Sequence, residues 1–134
     1  MISSRVARRD SLLFVYGTLR PFVDIEMATW LRGAARYVGP ATTSGRLYDL
    51  GAYPGMTLAR GRRERVVGDV YRVTNRRVFG ILDRYEGEFV RETCVVKLER
   101  GGCAVAWAYR YRYRVAGAMR IASGDYRMHR RGTS

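Results

Sequence analysis

Residues 103–115 read "CAVAWAYRYRYRV", and their alternation settles what element stands there. Cys103, Val105, Trp107, Tyr109, Tyr111, Tyr113 and Val115 take one set of alternate positions. Ala104, Ala106, Ala108, Arg110, Arg112 and Arg114 take the other. A period of two held this long specifies a strand with an aromatic face, because successive side chains leave a pleated backbone on opposite sides. Just upstream, "ERGG" at 99–102 supplies turn glycines and the run from Val90 supplies a partner, so 90–115 is expected to form a hairpin. With Gly101-Gly102 as a two-residue loop, Arg100 faces Cys103 and Cys94 faces Tyr109. That register keeps the two thiols apart.

Working outward from this hairpin, Val78, Ile81, Leu82 and Tyr85 recur at helical spacing, with Thr74 as the cap and Gly87 placed as a left-handed stop. "VVGDVYRV" at 66–73 and the apolar run 12–16 read as buried strands, and 36–50 as extended chain. Asp24 is positioned to cap a short helix over 25–32 with Ile25, Ala28 and Leu31 on one stripe and Gly33 as its end. "GAYPGM" at 51–56 has the composition of a turn, and "ARGRRER" at 59–65 that of a basic loop. Several strands in short-looped succession with two helices imply an α+β fold whose sheet is curled or barrel-like.

The 134 residues suit one domain, 1–134, with mobile basic tails at about 1–10 and 127–134. The formal net charge is +13, and 24 of the 25 basic residues are Arg, Lys97 being the exception. The arginines are spread along the chain, which fits a compositional bias of the genome. The charge also suits an acidic protein partner. Two cysteines make no disulfide framework, so a reduced, cytoplasmic setting is expected. After "MISSRVARRD" the apolar run is too short for a signal peptide, and no stretch is long enough to span a membrane. The single histidine, His129, lies in the basic C-terminal segment, leaving little for a Ser–His or Cys–His nucleophile or a zinc site. Neither G-x-G-x-x-G nor a P-loop is present. Any catalysis must rest on carboxylates, tyrosines, arginines and backbone amides.

Two stretches have that chemistry. In "YGTLRP" at 16–21 a strand runs out at Gly17, and the N–H groups of Gly17, Thr18 and Leu19 leave the ladder where they can form an anion-binding nest. Read alone, it is equally a strand end with a turn glycine. In "ILDRYEGEF" at 81–89, Glu86 closes the helix. The negative helix end, partial burial and Asp83 three residues before it all oppose its ionisation, which suits a proton carrier near neutral pH. Read alone, it is equally a solvated last turn.

The motifs "YGTLR", "GRLYDLGAYPG" at 45–55, "GDVYRV" at 68–73, "LDRYEG" at 82–87, then Arg91, "AWAYRY" and "SGDYR", occur in that order. Over roughly residues 12–127 the chain resembles the gamma-glutamylcyclotransferase-like family. The resemblance implies a small mixed β-barrel with flanking helices. It also implies cleavage of a γ-glutamyl amide or γ-glutamyl amino acid by attack of the substrate's own α-amine on the γ-carbonyl. The products would be 5-oxoproline and a released amine or amino acid, with no metal or organic cofactor. By the same resemblance Tyr16, Gly17, Thr18 and Leu19 hold the γ-glutamyl group and Glu86 is the acid/base. Asp83 and Glu88 are lesser rivals for that role. Arg20 and Arg91 are candidates to pair with a substrate carboxylate or to form structural ion pairs, and Tyr109 and Tyr111 to reach into the barrel as donors or to serve as core. The chain departs from the family in "FVDIEMATW" at 22–30 and at Phe89-Val90, which leaves the departing amine open.

The competing reading is a basic binding module for single-stranded nucleic acid or an acidic protein, with the pocket idle. Tyrosines and arginines on opposite faces of one strand do not grip one strand of nucleic acid together, which counts against the nucleic-acid form.

Overall fold

The computed structural model describes residues 11–58 and 63–132. Its elements are β1 (Ser11–Val15), α1 (Glu26–Ala34), β2 (Arg36–Asp49), β3 (Pro54–Leu58), β4 (Arg65–Val73), α2 (Arg77–Tyr85), β5 (Phe89–Leu98), β6 (Cys103–Tyr111), β7 (Met119–Ile121) and α3 (Tyr126–Gly132). Strands β2, β4, β1, β6 and β5 pair in that order, and β5 pairs again with β2, closing a five-stranded barrel. All these pairings are antiparallel except β1 with β6, which is parallel. The second half of the long β2 leaves the barrel and pairs with β3 on one side and β7 on the other. This is the mixed barrel with flanking helices that the resemblance implied.

The barrel interior holds Phe14, Tyr16, Leu47, Met56, Val66, Val70 and Val96. Phe14 of β1 and Tyr16 just after it fill so much of that space that the neighbouring strand must be thin, and β6, paired with β1, supplies Ala106 and Ala108 there. Gly68 is bare for the same reason: a Cβ on it would lie 2.3 Å from the Val15 carbonyl oxygen and 2.7 Å from Phe14. The alternation of β6 is therefore as read, but the alanine face points inward and the aromatic face outward. A second apolar layer outside the barrel joins Leu13, Val15, Tyr71 and Tyr109 to Leu31 of α1 and Val78, Phe79 and Leu82 of α2. A small barrel offers both faces of β1 and β4 for burial, one to the lumen and one to the helices.

Several local expectations are corrected. Strand β6 ends at Tyr111, not Val115, because the chain must turn there to bring β7 against β2. The hairpin pairs Lys97 with Cys103 and Cys94 with Ala106, so its loop is longer than two residues and Arg100 lies within it. Helix α1 begins after Ile25 without a side-chain cap from Asp24 and runs through Gly33. Helix α2 takes no side-chain cap from Thr74, and the Asn75 side chain accepts the Arg77 N–H instead. On α2 the buried stripe is Val78, Phe79 and Leu82, while Ile81 and Tyr85 are exposed. Gly87 is not left-handed; the helix ends on the Glu86 N–H donating to the Leu82 carbonyl.

The C-terminal segment, read as a mobile tail, is helix α3 through Gly132. Tyr126 buries its ring, and the His129 Nε2 lies 2.8 Å from Asp49 Oδ2 of β2. The expected N-terminal tail, the last two residues and positions 59–62 of the basic loop lie outside the described residues. Among the described residues no helix is long and apolar enough to cross a membrane.

Candidate active site

Where β1 ends, Tyr16 turns its ring into the barrel. Its hydroxyl donates to the Tyr109 carbonyl of β6 (2.6 Å) and accepts from the Met56 N–H of β3 (3.1 Å). Burial raises this phenol well above its ordinary value, so it stays neutral and acts as a tie between three strands. Gly17 follows against Pro54, and a Cβ on Gly17 would lie 2.6 Å from that ring. The chain then folds back, with the Arg20 N–H donating to the Gly17 carbonyl. Among the described residues the N–H groups of Gly17, Thr18 and Leu19 have no acceptor.

The turn is anchored from behind. Arg20 is buried and donates through Nε to Asp69 Oδ2 (2.7 Å) and through Nη1 to Asp125 Oδ1 (3.0 Å). Tyr37 donates to the other oxygen of Asp69 (2.6 Å). The arginine of "YGTLR", the aspartate of "GDVY" and that of "SGDYR" thus meet in one ionic cluster.

In front of the turn lies a cavity of about 450 Å³, walled by residues 14–19, Tyr53-Pro54, residues 84–89 and Tyr109. Glu86 enters it from the end of α2. Its carboxyl group is half-buried, has no ion-pair partner among the described residues, and is pushed up to about 7 by burial alone. The expected repulsion from Asp83 is not a cause. Asp83 faces away and is held by Arg91 Nε (3.0 Å) and the Tyr109 hydroxyl (2.6 Å). Burial pulls Asp83 upward, but these hydrogen bonds outweigh it and keep the carboxyl below its usual value.

Of the expected site residues, the structure brings together Tyr16, Gly17, Thr18, Leu19, Glu86 and Tyr109 around this cavity. Arg20 lies behind it. Arg91 stacks on Phe79 and Trp107 outside the barrel, and Tyr111 packs on Phe89 and Tyr113. None of those three lines the cavity. Sequence reading missed Tyr53, Pro54 and Tyr85 as walls and considered Glu88 only as a lesser rival to Glu86. The Tyr53 hydroxyl donates to Glu88, which lifts the phenol to about 12. The signal was present in "GAYPG", whose tyrosine and proline were read only as turn formers. Among the described residues no group of His, Cys, Asp and Glu is arranged to hold a metal ion.

A chain with this barrel and cavity has known counterparts. A Bacillus subtilis protein, YkqA, superposes with a TM-score of 0.76 at 26% identity, over 92% of this chain and 42% of that one. The present chain thus spans less than half the length of that protein. A mouse AIG2-like protein superposes at 0.66 with 23% identity, over 78% of this chain and 80% of its own. A structure titled gamma-glutamyl cyclotransferase gives 0.58 at 16%, over 76% and 66% respectively. The last two likenesses show the fold alone. No curated protein sequence matches. The model of the gamma-glutamyl cyclotransferase, AIG2-like family matches residues 13–128, which takes in both the Tyr16–Leu19 turn and Glu86. The chain belongs to that family.

Proposed function

We propose that the protein is a gamma-glutamylcyclotransferase that needs no cofactor for its chemistry and uses Glu86 as general acid/base. One observation carries this reading: a carboxyl group raised to about 7 shares a cavity with three backbone N–H groups, and neither has a partner among the described residues. A γ-glutamyl amide brings an α-ammonium, an α-carboxylate and the scissile carbonyl. Glu86 takes a proton from the ammonium, and the freed amine attacks the γ-carbonyl carbon. As the scissile C–N bond breaks, Glu86 returns the proton to the departing nitrogen, which would otherwise leave as an amide anion, and the ring nitrogen gives up its second proton to the released amine, which departs as an ammonium. The new C–N bond closes the five-membered ring of 5-oxoproline. The N–H groups of residues 17–19 are donors for an anionic oxygen of the substrate, either the carboxylate or the developing oxyanion. Holding the folded conformer makes the attack intramolecular in geometry as well as in formula.

The binding-module alternative finds less support. The Tyr109 ring is buried under α2, and Arg110 pairs with Glu92 (2.8 Å). The test is incubation with a panel of γ-glutamyl amides and γ-glutamyl amino acids, followed by mass-spectrometric detection of 5-oxoproline. Formation of 5-oxoproline is expected. Its absence across the panel, together with salt-sensitive binding of single-stranded nucleic acid, would favour the other reading.

A further inference from the structure

Beyond Tyr85 lies a second depression of about 430 Å³ between α1 and α2, lined by Ile25, Glu26, Met27, Trp30, Ile81 and Tyr85. Tyr85 lines both this groove and the Glu86 cavity, so its ring is the ridge between them. On the other side, the Tyr53–Glu88 hydrogen bond joins the β2–β3 turn to the α2–β5 turn along the cavity wall. Helix α2 buries Val78, Phe79 and Leu82 yet leaves Ile81 43% and Tyr85 45% exposed, both toward this groove.

We infer that this groove is the leaving-group subsite and that it takes amines with an alkyl or arylalkyl substituent and no carboxylate. The inference rests on the activity proposed above. Glu86 must deliver its proton to the departing nitrogen, so that nitrogen lies beside Glu86, and Tyr85 is the adjacent residue in the chain. With the γ-glutamyl half held at the Tyr16–Leu19 turn and Tyr53 and Glu88 bridged along the opposite wall, the substituent on that nitrogen passes over Tyr85, the residue that both depressions share. There it meets hydrocarbon on both helices. Glu26 on the groove wall repels a carboxylate, so free amino acids are poorer leaving groups than simple amines. The stretch "FVDIEMATW", where the chain departs from its family, supplies Ile25, Glu26, Met27 and Trp30.

The test compares N-methyl, N-propyl, N-pentyl and N-benzyl γ-glutamyl amides with γ-glutamylglycine, following 5-oxoproline. The ratio kcat/KM should rise about fourfold for each added methylene until the groove is filled, and the glycine compound should fall below the propyl amide. Ile81→Ser, on the exposed side of α2, should cut the pentyl-to-methyl ratio about tenfold. Because it compares two substrates on one preparation, that ratio is insensitive to any loss of folded protein. Met27→Ser provides the same reading from α1. Turnover of the methyl amide with no chain-length dependence, or a ratio unchanged in both variants, would overturn the subsite and leave the activity standing. No 5-oxoproline from any amide would overturn the activity and the subsite with it.

Discussion

Asp69 and Glu86 are acids on opposite sides of the same turn, and their surroundings could hardly differ more. Asp69 is buried but receives hydrogen bonds from Arg20 and Tyr37. Glu86 is less buried, yet no cation among the described residues pairs with it, and its carboxyl group is raised to about 7. A buried charge with partners is structural and chemically quiet. A carboxyl group denied partners is held near the pH at which it can exchange a proton. Asp83, three residues before Glu86, falls on the quiet side because Arg91 and Tyr109 claim it.

Removing the reactive member of the comparison should have the largest effect. Glu86→Gln is expected to lower kcat for 5-oxoproline formation by about 10²–10⁴-fold with the fold intact. In the unaltered protein kcat/KM should rise as pH increases through about 7, since Glu86 must be ionised to accept a proton. Full activity in the glutamine variant would place the base elsewhere.

Breaking the quiet member should act on stability instead. Asp69→Ala leaves the buried Arg20 with Asp125 as its one carboxylate among the described residues and takes the acceptor from the Tyr37 hydroxyl, a loss of about 3–5 kcal/mol in denaturant unfolding. A loss under 1 kcal/mol would mean that the cluster is dispensable and that the turn is anchored by its apolar contacts.

Glu86 should also show itself in the pH dependence of stability. In the folded protein the Glu86 carboxyl lies above its ordinary 4.5, so the native state holds that proton more tightly than the unfolded chain does. Its contribution is therefore present below about 4.5 and is lost as pH rises through about 7. Glu86→Gln stays neutral throughout and should raise Tm at pH 8 by several degrees, about 2–3 kcal/mol, with little effect at pH 4. A Tm that fell at pH 8 would show the carboxylate to be stabilised by a partner.

The smallest effect is expected at Tyr16→Phe. It removes one donor and one acceptor from the barrel, leaving the Met56 N–H and the Tyr109 carbonyl unpaired, for about 1–2 kcal/mol in thermal unfolding. Because Glu86 is untouched, the pH profile of turnover should keep its rise near 7. A shifted profile would show that the Tyr16 hydroxyl tunes the acid directly.

How much of this was legible depended on the range over which each feature is decided. Strands β1, β2 and β4, helix α2 and the place of Glu86 at its end could be read from period, spacing and residue type, which are properties of a few consecutive residues. The ordered motifs carried the family and, through it, the barrel. What local pattern could not decide was which face of a strand turns inward. Residues 103–111 show two clean faces, and only the bulk of Phe14 on the neighbouring β1, with Tyr16 after it, makes the alanine face the inner one. Nor could it assign the arginines. Arg20 is equally suited to a substrate carboxylate and to a protein one, and its two partners lie 49 and 105 positions downstream. The sequence by itself determined most of the elements and marked Glu86 as the candidate acid. Tertiary structure alone decided which charges are neutralised, which walls meet around Glu86 and which groove lies beside Tyr85, because each depends on groups that only folding brings within a few ångströms.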